Sequence, residues 1–340
     1  MRPLPIKDAS THPPLEKTEI QVAHRPIAAR LRAHYKIARI DHSIKNVFVL
    51  PGILVPLSIL RPGFDRGLMI RIATGLVSTT LIACSNYVIN EVLDAPFDRL
   101  HPIKKNRPTA QHLVSIPWAY VQWISMMLAG MALALTVSRP FAYAAAGLWM
   151  MGCLYNIPPF RFKEVAYLDV LAESINNPLR MLLGWFMVTA VLIPPASLLL
   201  SYWMIGCFFM ALKRFSEYRD LESELVAGSY RKSFKTYTER SLLRSVLFYA
   251  SVSMLFFGTF IMRYRIELIL SFPFIAVMMA TYFDLAFRSN SAVQHPEKLY
   301  KQRLLMAETA VTAVVIVILL FVDLPWIARI FAPTLPLAAR

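Results

Sequence analysis

Acidic residues are scarce in this chain. Asp and Glu number 21 against 36 Lys and Arg, and charged residues make up only 17% of the 340 positions. So little charge beside 56% hydrophobic residues excludes an ordinary soluble domain and points to a polytopic membrane protein. Cysteine is nearly absent too. Cys84, Cys153 and Cys207 each fall inside an apolar run, without the pairing of a metal site or a secreted disulfide framework, so they read as small core residues. A Gly-rich phosphate loop, a Ser-His-Asp arrangement and His/Cys metal spacing are all missing, which leaves a covalent mechanism without a candidate nucleophile. Strict apolar–polar alternation is missing as well. That excludes a β-barrel and predicts an all-α bundle of membrane helices. No hydrophobic stretch lies near the start, so no cleavable signal is expected.

What is present is long apolar runs separated by short basic loops, with a mean hydropathy of +0.49. A net charge of +15 would suggest nucleic acid in a soluble protein. Here the cations sit beside apolar runs, where membrane orientation and anionic headgroups or phosphates account for them, and nucleic acid is not expected as a partner. Nine spans are expected, over about 46–60, 68–95, 112–136, 140–156, 165–193, 196–212, 242–262, 266–287 and 304–331. Residues 1–30 read as a disordered tail, and Ile27 to Tyr35 as a basic amphipathic segment on the membrane surface. This divides the chain into a tail, 1–35, and a transmembrane catalytic domain, 36–340. The tail and the 98–111, 157–164, 213–244 and 288–303 loops are the Lys/Arg-rich ones. That asymmetry places them and the N-terminus on the cytoplasmic side of a plasma (inner) membrane.

One stretch organises the rest. Asn90, Asp94 and Asp98 recur every four residues at the end of an apolar run, where a carboxylate is expensive unless it meets a partner, a cavity or a metal. On a helix they line one face over about 12 Å. Pro96 is expected to kink or end that helix near Ala95. Arg99, His101, Lys104, Lys105 and Arg107 follow directly. Carboxylates for a hard cation, then cations for phosphate oxygens, suit a Mg2+–diphosphate site. A helix end flanked by positive charge accounts for the same residues.

Two further clusters stand opposite this one in the sequence. Tyr155 to Lys163 closes the fourth span, and Asp169, Glu173, Asn176, Asn177 and Arg180 draw a polar line through the fifth. A positive-inside loop explains Arg161 and Lys163 equally well, and a buried Glu173–Asn177–Arg180 network would explain part of the line. Lys213, Arg214, Glu217 and Asp220 close the sixth span, with Lys213, Glu217, Asp220 and Glu224 on one face. They read either as an ordinary helical pair or as a second rim facing the first.

Asn90-Glu91-x-x-Asp94-x-x-x-Asp98, with Glu91 where Asp is usual, resembles the first aspartate-rich motif of the UbiA-type intramembrane prenyltransferase superfamily. Tyr155 to Lys163 followed by Asp169 resembles a second element of that superfamily. Asp98-Arg99-x-His101-Pro102-x-Lys104-x-x-Arg107-Pro108, Arg39…Lys45-Asn46 and Lys213-Arg214-x-x-Glu217 are similar to its polyprenyl-phosphate phosphoribosyltransferase branch. The resemblance implies a glycosyltransferase (a pentosyltransferase) that moves 5-phosphoribose from phosphoribosyl diphosphate to a polyprenyl phosphate. It implies Mg2+ held by Asn90, Glu91, Asp94 and Asp98, with Asn90, Asp94 and Asp98 catalytic. It further implies substrate contacts from Lys45, Arg99, Lys104, Arg107, Tyr155, Arg161, Lys163, Asp169, Lys213, Arg214 and Glu217.

Two rival classes stand beside it: an aromatic prenyltransferase of the same fold with a prenyl diphosphate donor, and a transporter or lipid flippase. A transporter would carry polar residues through the full membrane depth, whereas here the strong clusters sit at span ends. Isoprenoid length is not readable, and a homo-oligomer stays open.

Overall fold

The structure, a computed structural model, describes residues 26–99, 104–221, 232–332 and 334, without the side chains of 41–45 and 296–298. The described residues form helices and connecting turns, with no strand among them. Helix α1 (Ile27–Ile37) leads into a 3-10 stretch, Ile40–Val49, and then α2 (Leu50–Leu60), α3 (Arg66–Asp98), α4 (Ile116–Val137) and α5 (Arg139–Asn156). The fifth expected span is two helices, α6 (Leu168–Ser174) and α7 (Asn176–Val188). Then come α8 (Ala196–Arg219), α9 (Glu239–Tyr264), a 3-10 turn at Ile266–Ser271 running into α10 (Phe272–Ala286), α11 (Arg303–Phe321) and α12 (Pro325–Ile330). Six segments are long and apolar enough to cross a membrane: α3, α4, α8, α9, Ile266–Ala286 and α11. Asn46–Leu60 is a shorter apolar helix. The chain is a multi-pass membrane protein.

Local chemistry sets the starts. Asp65 caps α3 by accepting from the Leu68 N–H at 2.6 Å, and Ser138 caps α5 by accepting from the Phe141 N–H at 3.2 Å. Thr238 and Ser241 form a reciprocal capping box on α9. Of the kink or end expected near Ala95, the end does not fall there: α3 continues to Asp98 with the proline inside its last turn. There the proline removes one backbone hydrogen bond, and the Arg99 N–H still reaches the Ala95 carbonyl at 3.2 Å. The ninth expected span does break, after Phe321. Asp323 occupies the break and holds Arg61 at 2.8 Å and Arg265 at 2.7 Å, joining three loops at that end of the bundle.

Four apolar clusters are buried among the described residues, and two of them carry most of the helix packing around the site. Phe208, Phe215, Tyr249 and Tyr282 join α8, α9 and α10, and Ile53, Ile82, Phe141, Leu148 and Leu183 join α2, α3, α5 and α7. Helix α1 buries Ala33 and Ile37 against Cys84 and Val88 of α3, and leaves Ile27, Leu31 and Tyr35 exposed. The α2–α7 crossing depends on glycine. A Cβ on Gly52 would stand 2.1 Å from the Met181 carbonyl oxygen, and one on Gly184 would stand 2.3 Å from that of Val49. Backbone cannot retreat as a side chain can, so these small residues set how closely the helices approach.

Gly52→Ala is therefore expected to destabilise the protein by about 1–3 kcal/mol through overpacking. Gly63→Ala meets nothing within 4 Å and serves as the control. Thermal unfolding of detergent-solubilised protein measures both, and equal melting temperatures for the two variants would refute the close α2–α7 contact.

Candidate active site

The last two turns of α3 carry Asn90, Asp94 and Asp98 on one face, and three other elements meet them. From the end of α5, Asn156 accepts from the Asn90 side-chain N–H at 2.5 Å, while its own amide donates to the Gly152 carbonyl at 2.8 Å. That second bond orients the side chain. From the loop after α5, Lys163 donates to Asp94 and, at 3.0 Å, to Asn156 Oδ1. Arg161 reaches Asp94 at 3.2 Å and lies over the Phe97 ring at 5.0 Å. From the loop after α3, Arg107 reaches Asp98 at 2.6 Å, and a turn closed by its N–H on the Lys104 carbonyl at 2.9 Å sets its position. Lys104 is near enough to Asp98 to act on its charge.

Glu91 does not join Asp94 and Asp98. It is 2% exposed and accepts from Arg39 Nε at 3.1 Å and a terminal Arg39 nitrogen at 2.9 Å, with Thr109 at 3.4 Å. One position along a helix is about 100° of rotation, so a side chain next to Asn90 points to another neighbour. The metal set expected at Asn90, Glu91, Asp94 and Asp98 thus narrows to three residues in space.

A second rim is built around Asp169 of α6, which is fully buried. It accepts from Arg214 Nε at 3.0 Å, Ser233 at 3.3 Å and the Tyr237 hydroxyl at 2.7 Å. Arg214 also donates to Glu217 at 2.8 Å, and Lys213 lies 3.9 Å from the same carboxylate. Tyr155 stands close enough to Arg214 to interact with its charge, which puts it between the rims. Glu164 links the two, accepting from Arg161 at 2.6 Å and Lys232 at 2.6 Å.

Other expected residues go elsewhere. Asp220 accepts from Gln294 at 2.6 Å and from the Asn290 N–H at 2.9 Å, away from the rim, because it caps the end of α8. The Arg99 guanidinium has its Nε buried without a partner and sits by His112, not on a carboxylate. The Lys45 side chain, His101 and Glu224 lie outside the described residues. No Glu173–Asn177–Arg180 network forms among the described side chains. Arg39, Glu164, Lys232, Ser233 and Tyr237 were not among the expected contacts. Single polar residues in loops carry no periodic signal, and only the fold brings them to the site.

Among the described residues no three His, Cys, Asp or Glu side chains cluster as a metal cage. Magnesium does not need one: it is held by one or two carboxylates with waters and substrate phosphates, and Asp94, Asp98 and Asn90 offer hard oxygens on one face. The residues fit such an ion.

Burial favours the neutral form of Glu164, but the hydrogen bonds from Lys232 and Arg161 outweigh it and hold the carboxyl below its ordinary range. A depressed carboxylate stabilises the fold above its unfolded pKa and loses that contribution as pH falls through the folded one. Glu164→Gln is therefore expected to lower the melting temperature at neutral pH. Its deficit against the native protein should begin to shrink near the unfolded glutamate value, about pH 4, and vanish only once pH has fallen through the lower folded one. A deficit that persists unchanged at acid pH would show that the carboxylate's charge does not matter.

Comparison with known proteins shows the family and the fold. The profile of the UbiA prenyltransferase family matches residues 49–307. A decaprenyl-phosphate phosphoribosyltransferase of Mycolicibacterium smegmatis is 29% identical over 62% of this chain and 64% of its own length. One from Mycobacterium tuberculosis is 27% identical over 65% of this chain and 71% of its own. An uncharacterised protein of Sinorhizobium fredii is 30% identical over 43% of this chain, a match that spans only 27% of that longer protein. Among solved structures, a UbiA homolog from Archaeoglobus fulgidus bound to DMAPP and Mg2+ superposes with a TM-score of 0.63 at 18% identity, covering 84% of this chain and 97% of that one. A digeranylgeranylglyceryl phosphate synthase structure gives 0.62 at 14% identity, covering 86% and 99%. Other structures of the Archaeoglobus homolog hold GPP with Mg2+, or Cd2+. With the family profile covering most of the chain and the same helical architecture in its members, this protein belongs to the UbiA prenyltransferase family.

Proposed function

We propose that the protein is a polyprenyl-phosphate phosphoribosyltransferase, a Mg2+-dependent pentosyltransferase with phosphoribosyl diphosphate as donor and a polyprenyl phosphate as acceptor. The relatives named decaprenyl-phosphate phosphoribosyltransferase support the substrate pair. The observation that carries it is the pairing of each candidate metal carboxylate with a cation: Asp94 with Arg161 and Lys163, Asp98 with Arg107. Asp94, Asp98 and Asn90 would hold the metal through their side-chain oxygens, and Arg161, Lys163 and Arg107 would hold phosphate oxygens of the diphosphate.

When bound, the metal would stabilise the departing diphosphate. Lys163, Arg161 and Arg107 would hold the leaving group in place, and Asp94 and Asp98 would lie near the positive charge that develops at ribose C1. One oxygen of the acceptor phosphate forms the new bond to C1 as the C1–diphosphate bond breaks. That oxygen is already anionic, so no base has to remove a proton, which accords with the missing His or Ser machinery. Lys213 and Arg214, beside Glu217, supply a second anion-binding rim for a donor charged at both ends. A prenyl diphosphate, charged at one end, would have less use for it.

Asp94→Asn is expected to lower turnover by two or more powers of ten, the scale of losing electrostatic stabilisation of a transition state. Arg107→Lys, which loses the bidentate fork, should raise the KM for phosphoribosyl diphosphate by tenfold or more, about 1.4 kcal/mol. Purified enzyme that ignores phosphoribosyl diphosphate and instead joins a prenyl diphosphate to an aromatic acid would replace this reading with the aromatic prenyltransferase one.

In the membrane, we place the N-terminus and both rims on the cytoplasmic side, with α2, α5 and the α6–α7 pair completing nine crossings. A cysteine at Lys105 should then react with an impermeant reagent only from the cytoplasmic side, and one at Pro195 only from the other. The reverse pattern would overturn the orientation.

A further inference from the structure

The described residues contain four buried cations: Lys163, Arg180, Arg214 and Arg265. Three are compensated. Lys163 meets Asp94 and Asn156, Arg214 meets Asp169 and Glu217, and Arg265 meets Asp323 and the Leu319 and Val322 carbonyls. Arg180 is different. It is 8% exposed, its Nε is buried without a partner, and no carboxylate or hydrogen-bond acceptor among the described residues receives its guanidinium. A permanently charged group in the apolar interior of a membrane bundle is costly when left uncompensated, so it marks a place where an anion is taken up.

A second observation lies one turn away on the same face of α7. The side-chain oxygen of Asn176 is buried and also lacks a partner, its amide being turned to the Glu173 carbonyl at 3.0 Å. An orphaned fork of donors beside an orphaned acceptor suits a phosphate with a hydroxyl group near it. Gly184 and Gly52 bring α7 against α2, and the Tyr202 hydroxyl, close enough to Arg180 to feel its charge, is committed to the Phe48 carbonyl at 3.1 Å. Helical side chains lean toward their helix N-terminus, which for α7 is the end nearest Asp169 and the rims. That lean points Arg180 toward the α6 end of α7, while its near neighbour Tyr202 lies in the first half of α8.

We propose that Arg180, with Asn176, forms an interior anion site that takes a phosphate monoester of a substrate. The ligand's identity rests on the phosphoribosyl-transfer reading; the site itself does not. Under that reading the phosphate is the donor's 5-phosphate, whose sugar carries hydroxyl groups, or the acceptor's lipid phosphate.

The test uses the full chain in detergent, with Arg180→Met and Arg180→Lys. Without ligand, Arg180→Met should melt at or above the native temperature, since an uncompensated charge has gone; an arginine serving structure alone would give a lower one. Stabilisation by inorganic phosphate should need at least tenfold more phosphate in Arg180→Met. Equal phosphate affinities in the two proteins, or a native protein that phosphate does not stabilise, would overturn the site. Kinetics then names the source. A KM raised tenfold or more for phosphoribosyl diphosphate assigns the donor, and one raised for the polyprenyl phosphate assigns the acceptor. Both KM values unchanged in an active variant would overturn the site while leaving the phosphoribosyl-transfer reading in place. A native protein inactive with this substrate pair would sink that reading, and the phosphate titration would still decide the site.

Discussion

Asp169 has no exposed surface, and its two oxygens hold Arg214 of α8 together with Ser233 and Tyr237 from the segment leading into α9. The rest of the polar end depends on this contact. Charge in a membrane bundle is tolerated only when paired, and breaking a buried pair typically costs 3–5 kcal/mol because the remaining charge has nowhere to go. The Tyr237 hydroxyl also accepts from the Tyr167 N–H at 2.5 Å, so the same knot fixes the chain entering α6. Through Glu164 and Lys232 the constraint passes to the loop that carries Arg161 and Lys163, and so to Asp94. The first rim is thus positioned partly by the second.

This coupling separates two jobs that the polar residues share. Asp169 and Glu91 are at most 2% exposed and each is saturated by donors from distant elements, which makes them braces. The Asp94 side chain keeps 21% exposure, and its cations come from one short loop. Such pairs can trade partners with an incoming diphosphate and its metal without unpacking a helix, whereas the braces cannot.

The helical class, the apolar spans and the Asn90–Asp94–Asp98 face were legible because each is periodic: run length marks a span, and a four-residue repeat marks a face. At Pro96 a kink or an end was expected, since proline loses a backbone bond and crowds the preceding turn, and the end itself comes at Asp98. What was not legible was long-range pairing. Asp169 finds its partners 45, 64 and 68 positions away, and Arg39 finds Glu91 at 52, spacings that no local pattern encodes. Arg161 and Lys163 were found but undecided, since loop charge alone explained them as well. In the structure both reach Asp94, a pairing that loop charge alone does not require.

Glu91 shows how one side chain changes the chemistry open to a site. The resemblance led to an acidic residue beside Asn90 serving the metal, yet this one reaches Arg39 and Thr109 and fastens the segment before α2 to α3. Two carboxylates and an amide remain. For magnesium that is sufficient, because the ion keeps waters and takes substrate phosphates as its other ligands. A third carboxylate facing the same point would add negative charge beside Asp94 and Asp98 and would need another cation to balance it. With Glu91 turned away, Arg107, Arg161, Lys163 and Lys232 together outnumber Asp94, Asp98 and Glu164, the carboxylates they hold. The charge balance of this polar end is positive, as an anionic ligand under the proposed reading would require.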